Sequence, residues 1–145
     1  MGLFESLKVS ASGLNAQRRA IQTVATNLAN AHTTRTESGG PYLRKRTVLS
    51  EAPASEGFAA LFSQKLGGNL PGVKAEVVED TQGLKVVFDP SHPDADESGA
   101  VTLPNVSVVE EMVDLLRATR SYEANVTAFN AAKGMALKAL EIGNK

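Results

Sequence analysis

The 145-residue chain has no cysteine and no tryptophan, and only two histidines. Without thiols there is no disulfide and no thiolate metal site, and two histidines alone are a poor ligand set for zinc. Net charge is −1, so no overall basic field draws the chain toward nucleic acid or an anionic membrane. No apolar run approaches the roughly 20 residues that span a bilayer. The opening residues, MGLFESLKVSASG, lack a basic region followed by an apolar stretch, so no cleaved signal peptide is expected. These absences point to the cytosol, and they leave room for export by a route that reads an uncleaved amino-terminal segment.

What is present is a pair of long apolar patterns, one at each end. From Ser107 onward two seven-residue series interleave. One is Val108, Leu115, Tyr122, Phe129 and Ala136, and the other is Met112, Thr119, Val126, Lys133 and Leu140. This is the a/d pattern of a helix that packs lengthwise against another. Thr119 and Lys133 interrupt it, with Ala132 able to close the gap. Ser107 and Glu110 form a capping-box pair, and Gly143 stands where a helix would stop. At 1.5 Å per residue such a helix runs about 54 Å, too long for the core of a small compact domain. It needs a partner.

The partner is expected from the other terminus. Leu7, Leu14, Ile21 and Leu28 stand seven apart within residues 3 to 31, beside a weaker row of Leu3, Ser10, Gln17, Val24 and Ala31. Gly13 weakens the helix and also permits close approach of a second one. Neither stripe is stable in water by itself, because most helical stability comes from packing the apolar face.

The middle changes character. Residues 32–41 have loop composition and lead into an extended run, Tyr42 to Leu49, with Tyr42 and either Leu43 or Val48 as anchors. Arg44, Lys45 and Arg46 beside it are read as a solvated strand face or a docking patch for an acidic partner; they are too few for nucleic acid. Residues 50–72 carry little signal beyond a possible helical turn at Leu61 to Leu66. Val73 to Val78 and Leu84 to Phe88 read as the two strands of a hairpin. Asp89 to Gly99 is turn-rich. Charge is uneven: residues 1–35 hold four basic and one acidic residue, residues 36–104 six and ten, and the remainder five of each. Pairs such as Asp114–Arg117 and Glu141–Lys145 are expected along the last helix.

Catalytic patterns were sought and none is complete. Asp94 to Gly99 resembles the start of a calcium loop, but its twelfth position is Asn105 rather than a bidentate glutamate, so Asx-type turns are the better reading. His92 near Asp89 is half a dyad with no nucleophile. No phosphate loop, GxGxxG or HExxH occurs. Asn105 and Asn125 begin glycosylation-type triplets, which are read as chance because Asn125 lies inside a helix. No enzyme, cofactor, small-molecule substrate or metal site is expected.

Three stretches resemble the flagellar axial proteins, and among them the basal-body rod proteins of the proximal-rod kind. The first is Asn27-Leu28-Ala29-Asn30 with Thr33 and Thr34. The second is Gly39-Gly40-Pro41-Tyr42 with Arg44. The third and most specific runs Pro104-Asn105-Val106, Val109 to Leu115 with Glu111 and Met112, and Arg120 to Val126 with Asn125. Asp89-Pro90, His92 to Asp96 and Gly99 add a fourth. Ala100 departs from an aromatic common in the family. At the helix end, Asn27 and Asn30 are expected to cap backbone groups or to adopt a left-handed conformation.

The resemblance implies a mainly α fold: an amino-terminal helix (1–34) and a carboxy-terminal helix (104–145) forming a coiled-coil-like inner domain, with a β-hairpin-containing insertion (35–103) between them. It implies a structural role as well. Such subunits are exported unfolded by the flagellar type III apparatus without cleavage, and polymerise in the periplasmic rod between a membrane-ring protein and the distal rod, beside other rod subunits. The residues alone would also allow a cytosolic coiled-coil adaptor that binds another protein's helix.

Overall fold

A computed structural model describes residues 3–52 and 72–143, with side chains described from residue 6. The order is α1 (Leu3–Ala29), β1 (Arg44–Glu51), β2 (Val73–Asp80), β3 (Lys85–Phe88), β4 (Ala100–Leu103) and α2 (Val108–Gly143). Among the described residues this is two long helices with two small two-stranded sheets between them in sequence, β1 with β2 and β3 with β4. The possible helical turn at Leu61 to Leu66, and Lys145 of the expected pair with Glu141, lie outside the described residues.

The helices start and stop close to where the sequence signals lie. α2 begins directly after Ser107, whose carbonyl accepts from the Glu111 amide at 2.9 Å, and it is helical through Gly143, the last described residue. Glu110 and Glu111 occupy its first turn, where acidic side chains favour the positive end of the helix dipole. α1 ends at Ala29, two residues before the expected Ala31.

The expected hairpin between residues 73–78 and 84–88 does not form. Both strands exist, but β2 pairs with β1 and β3 pairs with β4. The cause lies in the link. Asn105 donates from Nδ2 to the carbonyls of Asp80 (2.8 Å) and Gln82 (2.6 Å), so the end of β2 is held by a side chain instead of turning onto its neighbour. β3 and β4 are antiparallel with Phe88 opposite Ala100 and Lys85 opposite Leu103.

The chain divides into two compact units. The first takes residues 1–19, 48–76 and 118–145, so it contains the first half of α1 and the second half of α2. Here Ala16 and Ala132 are buried, and a methyl added to Gly13 would stand 3.2 Å from Asn125 Nδ2. The Asn125 side chain comes that close because Gly13 has none of its own. Ser12 Oγ accepts from the Val73 amide at 3.0 Å and fixes the start of β2, while the Ala52 amide donates to the Gly72 carbonyl at 2.7 Å.

The second unit takes residues 20–47 and 77–117. Its buried apolar residues are Val24, Tyr42, Val101 and Val106. The link from β3 to β4 is tied by Asx-type turns, as its aspartates suggest. Asp96 Oδ1 accepts from the Ser98 hydroxyl (2.7 Å), the Ser98 amide (2.8 Å) and the Ala100 amide (2.9 Å), and Asp89 Oδ1 holds Ser91 in the same way. His92 Nδ1 accepts from the Asp94 amide at 3.1 Å, a local turn contact. Gly99 has φ +78 and is buried, and a methyl on it would come within 3.0 Å of Phe88 and of Pro90.

Candidate functional site

The most constrained point of the second unit is Asn27, on the last turns of α1 and 1% exposed. An amide side chain offers two donors and two acceptor directions, and burial is tolerable only if all are used. All four are. Nδ2 donates to the Lys45 carbonyl (2.8 Å) and to Glu111 Oε2 (2.9 Å). Oδ1 accepts from the Tyr42 hydroxyl (2.9 Å) and the Lys45 amide (2.9 Å). One side chain therefore ties α1 to the start of β1 and to the first turn of α2.

Glu111, also 1% exposed, completes the cluster by accepting from Arg44 Nε at 2.6 Å. The same guanidinium lies 3.5 Å from Asp114 and 3.8 Å from Glu110. The Arg44 amide donates to Asn105 Oδ1 at 2.7 Å. Burial, then the Glu111 carboxylate and then Glu79 push the Tyr42 hydroxyl above its ordinary tyrosine value, which keeps it a donor. Among the described residues no buried side-chain polar atom lacks a partner, and no group of three or more His, Cys, Asp or Glu is arranged to hold a metal. Every buried polar side-chain atom of the cluster is bonded within the chain. It is a clasp.

The arrangement changes several readings of the sequence. The basic run divides: Arg44 is taken up by the acidic start of α2 and Lys45 Nζ sits 3.6 Å from Glu79, while Arg46 is exposed to solvent as expected. Tyr42 is buried, whereas Val48 is half exposed and anchors nothing. Asn30 does cap, donating from Nδ2 to the Thr26 carbonyl at 2.9 Å, but Asn27 reaches across to other elements, and no described non-glycine residue has positive φ. Gly39 and Gly40 do have positive φ and turn the chain ahead of Pro41 and Tyr42.

The residues singled out for helix packing separate into two groups. Leu7, Leu14, Ile21, Leu28, Leu115, Val126 and Phe129 are partly buried. Val108, Met112, Tyr122 and Leu140 are exposed, Leu140 by 71%. A different heptad row on α2, Glu111, Ala118, Asn125 and Ala132, is buried at all but Asn125; Glu111 bonds Asn27 in the second unit, and Asn125 lies beside Gly13 in the first. On α1, Gly13 and Asn27 belong to the heptad row Ser6, Gly13, Ala20 and Asn27. These rows are small or polar, so a search for large apolar residues passes over them. Arg44 and Asn105 were likewise visible in the sequence but read for charge and for calcium. The available signal was their nearness to Tyr42 and to the helix start.

Two family models match the chain: "Flagella basal body rod protein" over residues 7–35 and "Flagellar basal body rod FlgEFG protein C-terminal" over residues 97–142. Among curated proteins it is similar to the flagellar basal-body rod protein FlgC of Bacillus subtilis, 46% identical with 99% of each chain covered. The chain belongs to the FlgC family of flagellar basal-body rod proteins. FlgC of Borreliella burgdorferi is 42% identical over 98% of each chain, and that of Salmonella typhimurium 38% over 99% of each. These relatives carry the names of rod proteins and not of enzymes, and the chain is a structural subunit of the basal-body rod. Asn27, Tyr42 with Arg44, and Glu111 come from the three stretches that resembled the family, and in the folded FlgC-type chain they meet in one cluster.

Proposed function

We propose that this chain builds the proximal part of the rod, polymerising through its terminal helices to connect the membrane ring to the distal rod and to carry torque. The observation that supports this most is the apolar surface left uncovered on α2. Within the second unit, Val109, Met112, Val113 and Leu116 are exposed at helical spacing i, i+3, i+4 and i+7. Within the first unit, Met135, Leu137, Leu140 and Ile142 are exposed toward the helix end. Single exposed apolar residues are ordinary, but a stripe at this spacing is the mark of a surface that packs on another protein. No helix among the described residues is long and apolar enough to cross a membrane.

On this reading the partners are other rod subunits and a membrane-ring protein, reached by export through the flagellar type III apparatus without cleavage. A heterologous contact repeated by a screw operation yields an open tube instead of a closed dimer, which is what a rod requires. The half-buried seam leucines hold each subunit's own helices together, and the outward stripe meets the neighbours. Replacing Leu14→Asp or Leu115→Asp should stop incorporation into the rod while residues 35–103 stay folded. Normal motility in either variant would remove the terminal helices from the proposal. Cell fractionation separates it from the cytosolic adaptor, since a rod subunit travels with the envelope.

A further inference from the structure

The heptads of this chain leave its own helix register undetermined. Leu7, Leu14, Ile21 and Leu28 repeat every seven residues, as do Leu115, Tyr122, Phe129 and Ala136. Sliding α2 along α1 by one heptad would bring similar apolar residues face to face again. Something other than the apolar pattern must select one pairing.

We propose that the Asn27–Glu111–Arg44 cluster is a register lock, and that the small-residue notch at Gly13, which receives Asn125, is a second lock set to the same pairing. Asn27 meets Glu111 at 2.9 Å in one unit, and in the other Gly13 lies close to Asn125. The two contacts are fourteen residues apart on each helix, two heptads in both cases, so they specify the same alignment. A slip of seven residues moves Glu111 about 10 Å along the helix, far beyond the reach of either hydrogen bond. It would set Ala118 against Asn27, leave the buried Asn27 amide without its carboxylate and Arg44 without Glu111, and set Gly13 facing Ala132 across a void. A buried polar group without its partner is penalised far more than its pairing contributes, which is how a polar contact discriminates between registers.

The absence of cysteine makes the test clean in the full-length chain. Gly13→Cys with Asn125→Cys reports the observed pairing by oxidative cross-linking, and Gly13→Cys with Ala132→Cys reports the slipped one. Both pairs remove the notch contact, so the Asn27–Glu111 cluster acts alone. With the cluster intact the first pair should cross-link and the second should not. Glu111→Leu should raise the slipped product about tenfold or more, the scale of one charged hydrogen bond. Asn27→Asp should do the same by facing two carboxylates, and adding Glu111→Gln should reverse it by restoring a donor between them. Glu111→Gln alone keeps the acceptor and should leave the slipped product low; it serves as the readout if Glu111→Leu loses its helicity. An unchanged slipped product in a helical Glu111→Leu or Asn27→Asp chain would overturn the proposal, as would a rise in Glu111→Gln.

Discussion

Asn27 and Glu111 lie 84 residues apart in sequence and share one buried hydrogen bond of 2.9 Å. Neither has a comparable alternative. The amide of Asn27 spends its other three positions on Tyr42 and the backbone of Lys45, and the remaining oxygen of Glu111 is held by Arg44. The end of the first helix, the start of the first strand and the start of the last helix are thus joined in one polar network whose parts are worth little apart.

Removing Arg44 tests the charge balance of that network. Arg44→Ala leaves the buried Glu111 carboxyl group without its cation. The expected loss is about 3–5 kcal/mol, the range for breaking a buried pair from one side. Urea denaturation of wild type and variant at neutral pH measures it. A loss within ~0.5 kcal/mol, as for an ordinary surface change, would show the pair to be incidental.

Tyr42→Phe isolates the hydroxyl. Asn27 Oδ1 keeps the Lys45 amide, so the cost at neutral pH should be about 1 kcal/mol, one hydrogen bond. The pH dependence has a definite sign. The folded state holds the Tyr42 proton more tightly than the unfolded chain does, so that contribution is complete below the ordinary tyrosine value of 10.0 and fades as pH rises above it. The phenylalanine variant should lose stability less steeply above pH 10 than wild type, read by thermal melts across the alkaline range.

The link between β3 and β4 should respond to acid. The Ser98 hydroxyl first, with the amides of Ala100, Ser98 and Gly99, holds the Asp96 carboxyl below the usual aspartate value, and Ser91 does the same for Asp89. Groups lowered in the fold contribute above the unfolded value and cease to do so as pH falls through the folded one. Amide exchange at Ser98 and Ala100 should therefore quicken below the ordinary aspartate range while the helices hold. Gly99→Ala should loosen the same link at neutral pH, by about 1–2 kcal/mol for the left-handed backbone and more from the contacts with Phe88 and Pro90.

How much of this was legible in the sequence depends on the kind of signal. The helices were readable because their apolar residues recur every seven positions and their ends carry Ser107, Glu110 and Gly143. Strand positions were readable from β-branched runs, but their partners were not. Pairing was decided by Asn105, whose hold on Asp80 and Gln82 is a tertiary contact with no local trace. The clasp was half visible. Resemblance pointed to Asn27, Tyr42 and Glu111 as separate motifs, yet nothing local shows that an asparagine in one helix bonds a glutamate in another. The approach of Asn125 to Gly13 was missed for a physical reason: a side chain comes that close where its neighbour has none, and a search for large apolar residues passes over such a position.

The central claim is that the outward apolar stripe of α2 builds the rod, and Leu116→Asp and Leu140→Asp test it most directly. Both side chains are well exposed in the single chain, 66% and 71%, so each variant should keep its own stability within ~0.5 kcal/mol. The deciding measurement is the amount of each variant recovered in purified basal bodies, relative to wild type expressed at the same level. The account predicts that both folded variants are absent from basal bodies and that the cells do not swim. Recovery at the wild-type level would contradict it.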